Sequence, residues 1–469
     1  MARRRVESGP CERSDQTVSE PRKDDPPAWL GKRLPRYTSY PTAPHFGPLE
    51  ARSYGRWLSD LTPPKRASLY VHIPFCRALC WFCGCHTQVT NDYHRVEAYL
   101  EALEREIDLV GRRLQKGIGV SFLHFGGGSP TILKPDDFER LMAALRQAFT
   151  FERSAEIAVE IDPRSVGADR IASYAKTGVG RVSIGVQDFD PMVQEAIHRF
   201  QPFSLVSNTV AAFRREGIEK INFDLIYGLP YQSLESVIRT ALQVMELAPS
   251  RIALFGYAHV PWMKKHQRLI PESTLPGDAV RLQLYDAMAR VFEENGYVPV
   301  GMDHFARHDD ELAIAVRQKR VRRNFQGYTT DDAEVLLGLG ASAIGRLPQG
   351  FAQNTPDLKA YRQASAAGRL ATARGRPYQD HDLLFGEVIE RLMSNLEVDL
   401  EAVAVRYGAP MSIFADSLAR LAPLVEDQVV RLDGPKIRLF TPHRVAIRAV
   451  AACFDQYLGQ SQTRHSSVA

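Results

Sequence analysis

The chain reads as an α/β protein: an incomplete (βα)6 TIM-like barrel followed by a mostly helical C-terminal domain. Three observations predict this. From Ser68 onward, short apolar runs alternate with longer stretches of helical period, six times in order, and that alternation implies a parallel sheet. Polar and glycine-rich residues gather immediately after each apolar run, as they do at the C-terminal strand ends that form the active face of parallel barrels. Beyond about residue 360 the pattern turns helical, with one short β-like pair in VVRLDGPKIRLF at 429–440. Six units are fewer than a closed barrel needs, hence an incomplete one.

The elements follow in order. SLYVHI (68–73) has the composition of a buried strand, and a cysteine-rich loop follows it. Residues 94–114 place Val96, Tyr99, Leu100, Leu103, Ile107, Val110 and Leu114 along one helical stripe. VSFLHF (120–125) is a strand running into Gly126-Gly127-Gly128, and 136–149 is a helix with Asp136 near its start. EIAVEI (156–161), RVSIGV (181–186), KINFDLI (220–226) and RIALFGY (251–257) are the remaining strands; helices are expected at 168–176, 203–216, 234–247 and about 278–295. The division expected is an N-terminal extension over 1–33, disordered to about 27; a segment over 34–67 covering the site; the barrel over 68–360; and the helical domain over 361–469. Within the second part, LPRYTSYPTAPHF (34–46) has aromatics and prolines but no period, so it should be extended and packed on something.

Composition narrows the class. With 469 residues, 44% hydrophobic and 24% charged, the chain has room for a barrel plus a smaller domain of an ordinary globular protein. No apolar run approaches the length of a membrane span, and MARRRVESGPCERSDQ has no apolar core behind its basic start, so no secretory signal is expected. A net charge of +4 is too small to argue for nucleic acid. The run RQKRVRR (317–323) is strongly basic: a solvated face is the plain reading, attraction of a polyanion the functional one. The 13 histidines form no H-E-x-x-H pair, and neither G-x-S-x-G nor a P-loop is present.

Four of the six cysteines, Cys76, Cys80, Cys83 and Cys85, fall within HIPFCRALCWFCGCHT; the others are Cys11 and Cys453. Clustered thiols point to a reducing cytoplasm and to metal or redox chemistry rather than a disulfide framework. C-x3-C-x2-C is neither the paired spacing usual for zinc nor that of bacterial ferredoxins. Its place after the first strand favours an iron–sulfur cluster shielded by Phe75, Trp81 and Phe82; a structural zinc or a redox disulfide pair is the alternative. The triple glycine permits close approach of backbone to a ligand, though a tight turn would use it equally. Glu160, Asp162, Gln187, Arg199 and Asp224 lie at or just past later strand ends, and as a set they suit a ligand with hydroxyls, an amine and a carboxylate.

C-x3-C-x2-C after a first strand and Gly-Gly-Gly after a second resemble the radical S-adenosylmethionine (SAM) superfamily, which makes the barrel one of the radical SAM type. PRYTSYPTA, LYVHIPFC, C-x3-C-x-F-C-G-C, GGGSPT, VEIDPR, VQDF, NFDLIYGLP, GMDHFA and RNFQGYTT together resemble the oxygen-independent coproporphyrinogen III oxidase (dehydrogenase) family of heme synthesis, over roughly residues 34–460. The resemblance implies a 4Fe–4S cluster on Cys76, Cys80 and Cys83, with Cys85 as the family's fourth, non-ligating cysteine and a catalytic candidate. It implies SAM contacts, with two SAM molecules in one site, from Tyr70, Phe82, Gly127, Gly128, Ser129, Glu160, Gln187, Arg199, Asp224, Ala258 and Ile344. The activity implied is anaerobic oxidative decarboxylation of two propionates of coproporphyrinogen III to vinyl groups, giving protoporphyrinogen IX, by a 5′-deoxyadenosyl radical from reductive SAM cleavage. A low-potential donor such as flavodoxin or ferredoxin would supply the electron, and a monomer is expected. Two departures stand out: Ser129 where threonine is common, and Gly256 in FGYAH where asparagine is commoner.

Three other functions compete, one of them a different radical SAM enzyme acting on another tetrapyrrole. A heme-trafficking chaperone of the same superfamily would bind heme without making vinyl groups; such relatives usually lack a cysteine at the Cys85 position and the PRYTSYPT segment, and both are present here. A zinc-holding, non-catalytic module is the remaining reading of the thiols.

Overall fold

The structure is a computed structural model that describes residues 27–63, 65–459 and 467–468. Residues 1–26 of the expected extension lie outside the described residues. The remainder of that stretch is packed: Trp29 and Leu30 are buried, and Arg33 bridges to Ser467.

The six expected strands form where the apolar runs lie: β1 (Arg66–Ile73), β2 (Gly119–Gly127), β3 (Thr150–Ile161), β4 (Arg181–Gln187), β5 (Lys220–Tyr227) and β6 (Arg251–Gly256). Between and after them run α1 (Tyr93–Gly111), α2 (Pro135–Ala148), α3 (Ala168–Thr177), α4 (Phe203–Arg215), α5 (Leu234–Leu247) and α6 (Asp278–Glu294). Local chemistry sets the helix starts. The Asp92 carboxylate accepts the His94 N–H ahead of α1, and Ser233 and Ser236 form a reciprocal capping box at the start of α5. The stripe read on α1 is its buried face: Val96, Tyr99, Leu100, Leu103, Ile107 and Val110 pack into the main core.

The sheet is larger than six strands. Among the described residues its 13 strands run Gly47–Pro48, Thr372–Pro377, Gly350–Asn354, Ile344–Leu347, Val335–Leu339, β1, β2, β3, β4, β5, β6, His304–Arg307 and Tyr297–Val300. The added ones are β7 (Tyr297–Val300), β8 (His304–Arg307), β11 (Val335–Leu339), β12 (Ile344–Leu347), β13 (Gly350–Asn354) and β14 (Thr372–Pro377); β9 (Arg322–Asn324) and β10 (Gly327–Thr329) make a separate hairpin. β11 pairs in parallel with β1, Leu337 opposite Leu69, so seven strands are parallel and not six. The antiparallel strands flank this core on both sides. β14 thus joins the main sheet from within the stretch read as helical. It is followed by α8 (Asp382–Asn395), by further short helices, and by the three-stranded sheet that contains 430–439; α7 (Leu358–Ala366) packs on α1.

The lead-in segment is fixed by the far end of the chain. The Arg448 guanidinium donates to the carbonyls of Leu34 and Pro35 and, at 2.7 and 2.8 Å, to those of Ser467 and Val468. The Tyr37 hydroxyl donates to Asp455 at 3.1 Å, and the Tyr40 hydroxyl accepts the Gln456 N–H at 2.9 Å.

Candidate active site

The cysteine loop is held at both its base and its rim. At the base, Phe75–Cys76 and Gln88–Val89 pair in parallel. At the rim, distant groups take up the loop's carbonyls: Gln267 donates to Phe82 O at 2.9 Å, His266 Nε2 to Cys83 O at 2.8 Å, and Lys264 Nζ to Cys85 O at 2.8 Å. Trp81 stacks on His198, ring centroids 5.3 Å apart. These bonds pair backbone carbonyls of the loop that would otherwise need other partners.

The triple glycine is where the end of β2 passes this loop. Gly128 N–H donates to Ile73 O and Ser129 N–H to Phe75 O, both at 2.8 Å. A Cβ on Gly128 would stand 2.5 Å from Thr87 Oγ1 and 2.6 Å from Phe75 O; one on Gly127, whose φ is +112°, would stand 2.5 Å from the His72 ring. No other residue fits either position without displacing its neighbours.

Four donors reach three of the cysteine sulfurs. Thr87 Oγ1 donates to Cys76 Sγ at 3.2 Å, and the Cys85 N–H to Cys83 Sγ at 3.4 Å. Arg199 Nη1 and Arg164 Nη2 donate to Cys80 Sγ at 3.3 and 3.4 Å. Asp162 orients both arginines, lying 2.7 Å from Arg164 and 3.6 Å from Arg199. Burial opposes ionisation of Asp162, but the two guanidinium groups together hold its carboxyl below the usual range. The Cys85 thiol, through its hydrogen bond, pulls Cys83 down; burial pushes Cys76 up to about 11, against the Thr87 hydroxyl. Donors and positive charge on thiolates are what an iron–sulfur cluster asks of its ligands. Among the described residues, no three His, Cys, Asp or Glu side chains are spaced for a single metal ion. Three thiols at C-x3-C-x2-C spacing, each supported by a donor, fit a cluster in which each cysteine would bind a different iron.

The same cavity, of about 590 Å3, is lined by Tyr70, Phe82, Cys85, Gly127, Gly128, Ser129, Glu160, Gln187, Arg199, Asp224 and Ile344, together with the three other cysteines. Ala258 is the exception: it does not line the cavity, and its carbonyl accepts from the Gln267 amide that also holds Phe82. Its place on the segment after β6 is one residue beyond Tyr257, a buried ring in a satellite core with Leu229 and Ile270 against which Trp81 and Phe82 of the cysteine loop also pack.

Sequence reasoning missed several lining residues. Tyr70 and His72 share a face of β1 by strand alternation, 3.0 Å apart from hydroxyl to Nδ1. His72 Nε2 faces the His86 carbonyl at 2.9 Å, so it carries the proton, and Tyr70 donates to Nδ1; burial holds His72 near 4 and hence neutral. His124 lies parallel to the Tyr70 ring and 3.1 Å from Glu160 Oε1, while Gly127 N–H donates to Glu160 Oε2 at 3.2 Å. Asp224 accepts from the Ser183 hydroxyl at 3.1 Å, and burial, then repulsion from Glu160, pushes it up to about 7. The Arg164 signal was available in VEIDPR; His72, His124 and Ser183 sit mid-strand with no motif of their own.

A model of the radical SAM superfamily matches residues 70–244, the stretch from Tyr70 to the α5 helix. Thiols, glycines and strand-end carboxylates in one cavity at the open end of a partial barrel define a radical SAM enzyme. The chain is 50% identical over 436 residues to the oxygen-independent coproporphyrinogen III oxidase of Bradyrhizobium diazoefficiens, covering 93% of this chain and 97% of that one. It is 41% identical over 432 residues to the Escherichia coli protein of the same name, with 91% and 93% covered. The solved structure of the Escherichia coli coproporphyrinogen III oxidase, described as a radical SAM enzyme, superposes with a TM-score of 0.86 at 39% identity, over 91% of this chain and all of that one. The chain belongs to the oxygen-independent coproporphyrinogen III oxidase family.

Proposed function

We propose that this cavity carries the family's reaction: oxidative decarboxylation of two propionate side chains of coproporphyrinogen III to vinyl groups, giving protoporphyrinogen IX. The observation that carries the assignment to this site is the convergence of Cys76, Cys80 and Cys83 with Glu160, Arg199 and Asp224 on one cavity. The thiols would hold a 4Fe–4S cluster, which together with SAM supplies the radical that takes hydrogen from a propionate. The chain's own residues do the rest. Arg164 and Arg199 donate to Cys80 and spread positive charge over the thiolate. Glu160, with each oxygen held once by protein, keeps lone pairs for ribose hydroxyls. Tyr70, fixed by His72, and Phe82, fixed by Gln267, wall the cavity against water. Gly127 and Gly128 leave backbone room beside the loop. Asp224, Gln187 and Ile344 complete a site for one SAM or two. Cys85 faces the same cavity as a non-ligand.

A low-potential donor such as flavodoxin or ferredoxin, a monomeric state and a cytoplasmic setting complete this reading; among the described residues no helix is long and apolar enough to cross a membrane. The division into an extension over 1–33, a covering segment over 34–67, a barrel over 68–360 and a C-terminal domain over 361–469 is part of it. Residues Tyr37–Tyr40 wall a second cavity beside the first. Removing 34–46 should leave iron content intact and impair turnover; unchanged turnover sinks the covering role. The reaction itself is tested by anaerobic reconstitution with SAM, a reductant and coproporphyrinogen III. 5′-Deoxyadenosine with protoporphyrinogen is the expected product pair. Stoichiometric heme binding without SAM-dependent decarboxylation would overturn it in favour of a chaperone.

A further inference from the structure

We infer that the second cavity is the carboxylate-anchoring half of the substrate site, in which Arg320, Arg323 and Arg346 receive the carboxylates of the arms that are not reacting. This rests on the tetrapyrrole reading above and names the part of the molecule that would read the substrate's acid groups.

The second cavity, of about 460 Å3, abuts the first: Asn324, Phe325, Thr329, Asp331 and Leu336 line both. Strand β12 links them too, since Ile344 lines the first cavity and Arg346, two residues on along the same face, lines the second. Its apolar wall is aromatic, with Tyr37, Tyr40, Phe325, Phe351 and Tyr378. A flat pyrrolic macrocycle with acidic arms asks for that combination of rings and cations.

The cations are not all available, and the ion pairs show which are. Lys319 pairs with Glu397, Arg322 with Glu390 at 2.8 Å, and Arg391 and Arg406 both with Glu387 at 2.6 and 3.1 Å. Three arginines on the cavity wall have no carboxylate closer than 3.9 Å to the guanidinium among the described residues, although Arg346 acts electrostatically on Asp331 of the same wall. Arg320 is held by the neutral Gln318 amide, and Arg346 by the Ala333 carbonyl at 3.3 Å. Arg323 is the third: its side chain is 4% exposed, it lies over the Tyr328 ring at 4.3 Å, and its nearest carboxylate is Asp303 at 3.9 Å. Its Nε and Nη1 are buried without a hydrogen-bond partner. Leaving buried donors unmade is costly, and a guanidinium is shaped to take a carboxylate on two N–H groups. A solvated basic face explains Arg317, which points back to the His308 carbonyl; it does not explain a buried Arg323. Coproporphyrinogen III has four propionates, of which two react, so at each turn two or three carboxylates must be held elsewhere.

The test uses binding as well as turnover. Coproporphyrin III, the stable oxidised tetra-acid, is titrated against the reconstituted full chain at low and high salt, beside its neutral tetramethyl ester. Wild type should favour the acid over the ester, and Arg320→Gln and Arg346→Gln should each weaken acid binding about tenfold or more. The same variants should raise KM for coproporphyrinogen with a smaller effect on kcat, leave ester binding and iron content unchanged, and recover partly as lysine variants. Equal wild-type affinity for acid and ester, or acid binding unchanged in both glutamine variants, overturns the anchor. Wild type that discriminates in this way yet forms no vinyl product would sink the assigned reaction and leave the anchor standing.

Discussion

Gly128→Ala tests whether the cysteine loop is placed by backbone contact with the end of β2. An added Cβ would stand 2.5 Å from Thr87 Oγ1, 2.6 Å from Phe75 O and 2.8 Å from Phe75 N. Two of the three are backbone atoms, and Phe75 O is already held by the Ser129 N–H at 2.8 Å, so the strain cannot be relieved by turning a side chain. Phe75 must retreat by roughly half an ångström or more, and Cys76 is bonded to it. Overpacking of this kind costs about 1–3 kcal/mol. Gly84→Ala in the same loop is the control, since a Cβ there meets nothing within 4 Å; it should cost no more than about 0.5 kcal/mol. Denaturant unfolding of the cluster-free protein separates the two without reference to catalysis, and iron per chain after reconstitution reports the displacement of Cys76. If Gly128→Ala matches Gly84→Ala in both measurements, backbone contact is not what places the loop.

Asp224 should make the cofactor-free protein less stable as pH rises. Its carboxyl is raised to about 7 by burial and by Glu160, so between an unfolded value near ~4 and about 7 the folded state holds the extra proton, and stability falls across that window by at most about 4 kcal/mol. Asp224→Asn should remove the fall, and a wild-type-minus-variant difference that is flat from pH 4 to 8 would refute it. Cys85→Ser should keep its cluster and lose turnover; loss of the iron would make Cys85 a ligand. Arg164→Gln and Arg199→Gln each remove a charge-assisted bond to Cys80 worth about 1.5–3 kcal/mol, so both should lose iron faster than wild type to a chelator, with Arg199→Gln the more sensitive of the two because it is buried and also holds Gly185 O. Equal iron retention would show that neither donor supports the cysteine.

Six of the seven parallel strands were legible because each is a short, mostly apolar segment followed by polar or glycine-rich residues, and because most residues that line the mouth sit at or just past the end of such a segment. β11 was not read: VLLGL is a short apolar run that could belong to strand or helix equally. β12 and β14 carry glycine and arginine, and β13 glycine, glutamine and asparagine, in place of a clear alternation. Their pairing is settled by the neighbours that cover them, which no local pattern records. The site divides along the same line. Thiols and glycines announce themselves by spacing, whereas His72, His124 and Ser183 enter the cavity through strand alternation and long-range register. Ala258 is joined to the cysteine loop only through Gln267, whose amide its carbonyl shares with Phe82, a link that no motif records. The same holds of the basic run: sequence gives seven residues of one charge pattern, and only tertiary ion pairs separate the spent cations from Arg320 and Arg323.

The grip of Arg448 on Leu34 and Pro35, with Tyr37 and Tyr40 bound to Asp455 and Gln456, orders events during synthesis. A ribosome delivers the N-terminal part first, so the lead-in segment emerges some four hundred residues ahead of its own anchors. Through most of translation the cysteine loop can be complete while the wall beside it has nothing to fasten to. The wall beside the cysteine loop is therefore fastened only after residues 448–456 have been made.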